Sequence, residues 1–184
     1  MPTSRSGFAT FSLEHLALGL LIAEPKHGYQ LYQEYTELFY PIWKVGRSKF
    51  YAVLNSLQAD GYLASTIEYQ TDRPPRHVHH ITAAGRAEFW DWLYRPVTPM
   101  RAVRVEFIAK LRFFDLLALS DAARLIDAQV AACEAACAEW EQSATRHNQE
   151  SSDSILKLLY DFRRKQAAFM IEWLRECKEQ LVSA

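Results

Sequence analysis

Residues 47–81, RSKFYAVLNSLQADGYLASTIEYQTDRPPRHVHHI, change their apolar period from that of a helix to that of a strand. Phe50, Val53, Leu54 and Leu57 recur at i, i+3, i+4 and i+7, which predicts a helix with those residues on its core face. Gly61, directly after Asp60, suits a left-handed C-terminal cap. The opposite face carries Arg47, Ser48, Lys49, Tyr51, Ala52, Asn55 and Ser56. It is basic in its first turn and otherwise small or hydrogen-bonding, as in a helix that offers its N-terminal turns to base edges. An ordinary solvated face is the bland reading of the same pattern. Beyond it, Tyr62–Tyr69 is rich in β-branched and aromatic residues and predicts a strand with Leu63, Ser65, Ile67 and Tyr69 on one face. Gln70–Arg76 is polar and carries two prolines, predicting a turn, and His77–Ile81 predicts the returning strand.

On the N-terminal side, Ser12 is an expected cap for a helix over Leu13–Ala23, which Glu24-Pro25 closes. A second helix is expected from Gly28 to Phe39, with Leu31, Tyr35 and Leu38 at helical spacing. On the C-terminal side Thr82 caps a helix over Ala83–Tyr94. Three helices, strand, turn, strand, helix is the order of a winged helix-turn-helix, here expected over residues 1–95. In that order the turn is the wing, which places Arg73, Arg76 and the adjoining His77 beside phosphate or the minor groove. The expected DNA-binding set is therefore Arg47, Ser48, Lys49, Tyr51, Asn55, Arg73, Arg76 and His77.

These segments closely resemble the PadR family of transcriptional regulators. The resemblance rests on Ser12-Leu13-Glu14 and Leu18-Gly19-Leu20, on Pro25, His27-Gly28-Tyr29 and Leu31, and on Trp43, Tyr51, Leu54 and Leu57. It continues through Asp60-Gly61-Tyr62-Leu63, Pro75-Arg76-His77-Val78 and Ile81-Thr82-Ala83-Ala84-Gly85-Arg86. Ala52 departs from it where a proline is common, and His79 stands where a tyrosine is frequent. After the linker, Glu106-Phe107 and Lys110-Leu111 resemble the start of the long C-terminal helical domain of one subgroup. The resemblance implies a homodimer that represses transcription, often near its own gene, and is released by a small molecule in some members; the operator is expected to be palindromic and the effector small and aromatic. No residues are assigned to an effector.

The second half follows a different grammar. Val97–Met100, with Pro96 and Pro99, predicts a linker, and a helix follows over Val103–Leu117 with Val103, Phe107, Leu111 and Phe114 along one stripe. Ser120 is the expected cap of a helix over Asp121–Arg146, in which Ile126, Val130, Cys133, Cys137, Trp140 and Ala144 repeat by four and three. Residues 148–154 read as a polar break. Ile155, Leu159, Phe162, Gln166, Phe169 and Trp173 then run at the same spacing. Two long amphipathic helices bury both stripes poorly by themselves, so residues 101–184 are expected to be a helical dimerisation domain. Its expected interface is Ile126, Val130, Cys133, Cys137, Trp140, Ile155, Leu159, Phe162, Phe169 and Trp173. An intramolecular bundle is the competing arrangement. The fold class is mainly α with a small β-hairpin, an N-terminal winged helix-turn-helix followed by helices.

Composition narrows the function. The chain is 184 residues, 49% hydrophobic and 23% charged, with a net charge of −1, so any basic surface must be local. Between Lys44 and Thr82 five basic residues oppose Asp60, Glu68 and Asp72, with three histidines besides. Cys133, Cys137 and Cys177 form no disulfide framework, and Cys133 and Cys137 at i, i+4 lie on an apolar seam, which favours packing over metal. His77, His79 and His80 lack an evident cysteine or carboxylate partner for zinc. No metal and no cofactor is expected. No P-loop, GxSxG, GxGxxG or HExxH occurs, so an enzyme is a poor reading. No secretory signal and no membrane span is read, which sets the expected location as cytoplasmic. The expected partners are double-stranded DNA, a second copy of the chain and a small-molecule effector, with no membrane. The alternative is a winged helix used for protein–protein contacts without DNA binding.

Overall fold

The computed structural model describes residues 12–70, 73–98, 100–150 and 154–182. Its elements are α1 (Leu13–Gly19), β1 (Lys26–His27), α2 (Gly28–Phe39), α3 (Arg47–Ala59), β2 (Leu63–Gln70), β3 (Arg73–Ile81), α4 (Ala83–Tyr94), α5 (Met100–Leu116), α6 (Ala122–Glu150) and α7 (Ser154–Val182). The molecule is mainly helical with one small antiparallel sheet in the order β1-β3-β2, a winged helix followed by long helices. Two compact units divide it: the chain to Tyr94 together with Arg104–Leu117, and Arg95–Val103 together with the chain from Ala118 onward.

The first unit is built on an aromatic core. Tyr35 and Phe39 of α2, Phe50 of α3, Phe89 of α4 and Phe107 and Phe113 of α5 are all fully buried. Phe113 joins them, its ring 4.9 Å from Phe39 and 5.0 Å from Phe89. A Cβ on Gly19 would collide with the rings of Phe113 and Phe89, so only glycine lets α1 lie this close to them. The α3 face predicted to be buried is buried: Phe50, Val53, Leu54 and Leu57. Gly61 takes φ +79° and turns the chain from α3 into β2, a conformation costly for any residue with a side chain. Thr82 caps α4, accepting from the Gly85 N–H at 3.1 Å and donating to the carbonyls of Gly61 and Tyr62 at 2.8 and 3.0 Å. Glu106 and Lys110 form a buried ion pair at 3.2 Å, and the Trp92 Nε1–H donates to Glu106 at 2.9 Å. Removing one partner of such a pair strands the other charge.

In the second unit α6 and α7 pack antiparallel. Lys178 pairs with Asp127 at 2.7 Å, Arg175 with Glu134 at 3.1 Å, and the Arg163 guanidinium lies 5.7 Å from the Trp140 ring. Leu125, Ile126, Gln129 and Cys133 of α6 and Ala167, Met170 and Leu174 of α7 are buried.

Several expectations change at the element ends. α1 stops at Gly19 rather than Ala23, because Leu21 and Ile22 bond back to Leu18 and Gly19 in tighter turns. Ser12 does precede α1, but its hydroxyl meets His15 Nδ1 at 3.0 Å and caps no backbone N–H. β1 carries no readable strand period, being two residues long; it exists through pairing of Lys26 with His79 and His27 with Val78. The wing strands run further than predicted, so Arg73 and Arg76 belong to β3 and not to a turn, opposite Gln70 and Glu68. Pro74 and Pro75 are tolerated there because β1 pairs only with Val78 and His79, leaving one side of β3 open, and the register with β2 is irregular between Glu68 and Gln70. The stretch read as a linker is held: Val97 is buried, its N–H donating to Gln129 Oε1 at 2.6 Å and its carbonyl accepting from Gln129 Nε2 at 3.1 Å. α5 begins at Met100, three residues before the expected start. α6 begins at Ala122, after Ser120 and Asp121, and runs to Glu150, into the predicted break; α7 begins at Ser154, and residues 151–153 of that break lie outside the described residues.

Candidate nucleic-acid interface

The N-terminal half of α3 presents the predicted polar row to solvent: Arg47, Ser48, Lys49, Ala52, Asn55 and Ser56 are exposed and Tyr51 is half-buried. The helix starts at Gly46 with no side chain capping it, so its first turn is open. Aromatic rings of α2 and of the loop after it stand under the cations. The Arg47 guanidinium lies 5.6 Å from the Tyr29 ring and 5.7 Å from Tyr32, Lys49 Nζ lies 5.8 Å from Trp43, and Lys44 Nζ lies 5.6 Å from Tyr40. Such stacking limits the directions a long cationic side chain explores. The loop is fixed from beneath: the Tyr35 hydroxyl donates to the Trp43 carbonyl and Tyr32 donates to Val45 O at 3.3 Å. Burial pushes the Tyr35 phenol well above its ordinary range, so it stays a donor.

The base of the wing contributes from the sheet. Arg76 and His77 are exposed on β3. Arg73 starts β3, and its side chain lies outside the described residues. His27 of β1 meets Glu68 of β2 at 3.2 Å and the His77 carbonyl at 3.4 Å. His80 points the other way, to Thr66 Oγ1 at 2.9 Å. His79 is buried, and its Nδ1 has no hydrogen-bond partner. Burial first, then the charges of His77, His80 and His27, hold its imidazole below the ordinary histidine range, which keeps it neutral.

α3 and the wing base thus expose Arg47, Ser48, Lys49, Asn55, Arg76 and His77 on one unit, with Tyr51 half-buried among them. Reading the sequence alone did not single out Tyr29, Lys44 or His27 for this surface. The signal available was the His27-Gly28-Tyr29 run at the start of α2, whose position beside β3 becomes visible only through strand pairing. Among the described residues no group of three His, Cys, Asp or Glu side chains is placed to hold a metal ion. Among the same residues no helix is long and apolar enough to cross a membrane.

The predicted interface residues of the helical half separate into two groups. Ile126 and Cys133 are fully buried within the single chain, and Val130, Cys137, Trp140 and Trp173 are half-buried. Ile155, Leu159, Phe162 and Phe169 are exposed, at 70%, 39%, 62% and 65%. Leu158, at 65%, adds to that face of α7.

Comparison with known proteins bears on both halves. Residues 17–91 match the transcriptional regulator PadR-like family, and residues 103–182 match the virulence activator alpha C-terminal family. A probable transcriptional regulator of Mycobacterium tuberculosis is 27% identical over 93 residues, 50% of this chain and 49% of that protein. The match therefore spans about half of that relative's length. The crystal structure of Bacillus subtilis PadR in complex with operator DNA is similar at 22% identity and TM-score 0.46, covering 92% of this chain and 98% of that one. The same protein with p-coumaric acid has 22% identity and TM-score 0.40, covering 92% and 94%. Residues 17–91 thus carry a domain similar to the PadR-like family of transcriptional regulators, followed by a helical region similar to the virulence activator alpha C-terminal family.

Proposed function

We propose that the chain is a cytoplasmic repressor that binds a palindromic operator as a homodimer, the winged helix reading DNA and the helical half joining two copies. The observation that carries the DNA part is the exposed, uncapped first turn of α3 with Arg47 and Lys49 braced on aromatic rings. Arg47, Lys49, Arg73 and Arg76 act chiefly through phosphates, while Ser48, Tyr51 and Asn55 sit where base edges can be reached. The dimer part rests on α7, where Ile155, Leu158, Phe162 and Phe169 turn a row of large apolar side chains to solvent. Ile126 and Cys133 leave no area for a partner, so the proposed contact centres on α7, with Val130, Cys137, Trp140 and Trp173 at its margin.

Binding of full-length protein to the promoter fragment of its own gene, measured across a salt series, tests this reading. Affinity should fall linearly in log[salt], with a slope of about −0.9 per neutralised phosphate. Asn55→Ala should relax specificity at one base position by about 1–3 kcal/mol, and Arg76→Ala should weaken all sequences alike. A flat salt response would leave the winged helix as a protein-contact module. Release by a small aromatic effector belongs to the same proposal. It requires a reciprocal coupling of about 1–3 kcal/mol, so that operator DNA weakens effector binding as much as effector weakens DNA.

A further inference from the structure

A cavity of about 380 Å³ opens between the start of α2, Tyr51 of α3 and the base of the wing. Its walls are His27, Gly28, Tyr29, Gln30, Tyr51, Arg76, His77 and His79. No carboxylate is among them, and Glu68 of β2 is engaged by His27 at 3.2 Å. Arg76 and the rings of His27, His77 and His79 bring N–H groups to these walls, and the first turn of α2, partly closed by its capping box with the His27 N–H donating to Gln30 Oε1 at 3.0 Å, adds the positive end of a twelve-residue helix.

His79 is the observation that makes this more than a basic surface. It is 93% buried, being 7% exposed, and its Nδ1 meets no partner. A Cβ on Gly28 would stand 3.4 Å from His79 Nε2 and 3.0 Å from the Tyr51 ring, which puts the Nε2 edge of the imidazole beside the Gly28 wall of the cavity. A buried ring nitrogen without a partner costs less as a lone pair than as an N–H, which places the proton of neutral His79 on Nε2, towards the cavity. That N–H has no acceptor in the protein among the described residues. An anionic oxygen in the cavity supplies one.

We infer that this cavity is an anion site that takes a phosphate group, held by Arg76, His79 Nε2–H, His77 and the N-terminal end of α2, with Tyr29 and Tyr51 against its ester substituent. The inference deepens the DNA-binding reading and rests on it only for the source of the phosphate, a backbone phosphodiester or a free phosphate. Phosphate binding should favour protonation of His79. The charged and titratable groups around that ring are His77 on its own strand, His80 on the opposite face of β3, His27 and Lys26 of β1, Arg76 and Tyr51 on the cavity wall, and Glu68 of β2. A bound anion favours the protonated ring, so phosphate should raise the pH at which His79 takes up its proton.

The test uses full-length protein with ¹³C-labelled histidine, titrated with inorganic phosphate against chloride at fixed ionic strength. His79 and His27 ring signals should shift saturably, while His80 on the other face of β3 stays put. Arg76→Gln, an exposed change that leaves the core intact, and His79→Phe should each weaken phosphate about tenfold, the loss of one charge-assisted hydrogen bond. Equal drift of all histidine signals, or unchanged phosphate affinity in folded Arg76→Gln, overturns the inference. Promoter DNA is then added. If DNA shifts His79 and phosphate no longer does, the site holds the backbone. If phosphate still shifts His79 in the DNA complex, it holds a free anion. Saturable phosphate binding in a protein with no salt-dependent DNA affinity would keep the site and remove the repressor reading.

Discussion

The two units of this chain treat their large apolar side chains in opposite ways. In the first, Tyr35, Phe39, Phe50, Phe89, Phe107 and Phe113 are fully buried and stacked on one another. In the second, the buried residues of α6 and α7, Leu125, Ile126, Gln129, Cys133, Ala167, Met170 and Leu174, include no aromatic ring among the described residues, while Phe162, Phe169, Ile155 and Leu158 face outward. Burial of an aromatic ring contributes far more than burial of an alanine, so the first unit meets its own stability needs and the α6–α7 hairpin does not use its best material. A surface of that kind is what an association between copies requires. The first unit can also expose a polar face on α3, because the opposite side of that helix, Phe50, Val53, Leu54 and Leu57, supplies its packing.

The largest effect expected from this contrast concerns where the chain can be cut. A protein ending at Leu117 keeps Phe107, Lys110 and Phe113 and should unfold cooperatively. One ending at residue 100 loses all three from the first unit's core and should show no cooperative transition by circular dichroism in denaturant. Equal behaviour of the two truncations would mean that α5 contributes nothing to that core.

Next in size are single aromatic truncations. Phe113→Ala should cost about 3–5 kcal/mol in denaturant unfolding, because a well-packed ring leaves a cavity. Phe169→Ala, on the exposed face of α7, should change the stability of an isolated chain by no more than about 0.5 kcal/mol. Its effect should instead appear in sedimentation, as a shift towards monomer. A large stability loss for Phe169→Ala at concentrations where the parent is already monomeric would break the contrast.

A third, smaller effect sharpens the account of the first unit. Thr82 caps α4 and also ties Gly61 and Tyr62 to it, so Thr82→Ala should cost about 1–2 kcal/mol, whereas Thr82→Ser should recover most of it. The smallest effect is one of pH. The His79 imidazole is held below its ordinary value of 6.5, so the unfolded chain takes up the proton first as pH falls. Its contribution is full above about pH 6.5 and is lost below it, and His79→Phe should flatten that part of the unfolding profile. An unchanged profile in the variant would assign the acid sensitivity to another group.

Much of the first unit was legible because its signals are local. The period of Phe50, Val53, Leu54 and Leu57 marks α3, Gly61 marks its end, Thr82 marks the start of α4, and each depends on a few adjacent residues. The polar row of α3 followed from the same period, since residues not facing the core must face away from it. Where the local signal was missing, the reading went astray. α5 starts at Met100, inside the stretch whose prolines read as a linker, and the two prolines of β3 read as a turn because nothing nearby reveals that one side of that strand is open.

By itself the sequence determined the winged-helix order, the long amphipathic helices and the residue types offered for DNA, since these follow from periodicity, caps and charge along the chain. Only the tertiary structure decided that most of α5 belongs to the first unit, that β1 exists, and that Gln129 holds Val97. It also decided which of the apolar stripes is spent inside the chain and which stays outside. Heptad spacing marks a stripe as apolar without saying what will cover it. The histidine-lined cavity likewise gathers residues from 27 to 79, and contacts between residues so far apart in the chain are set by packing and strand register, which no local pattern encodes.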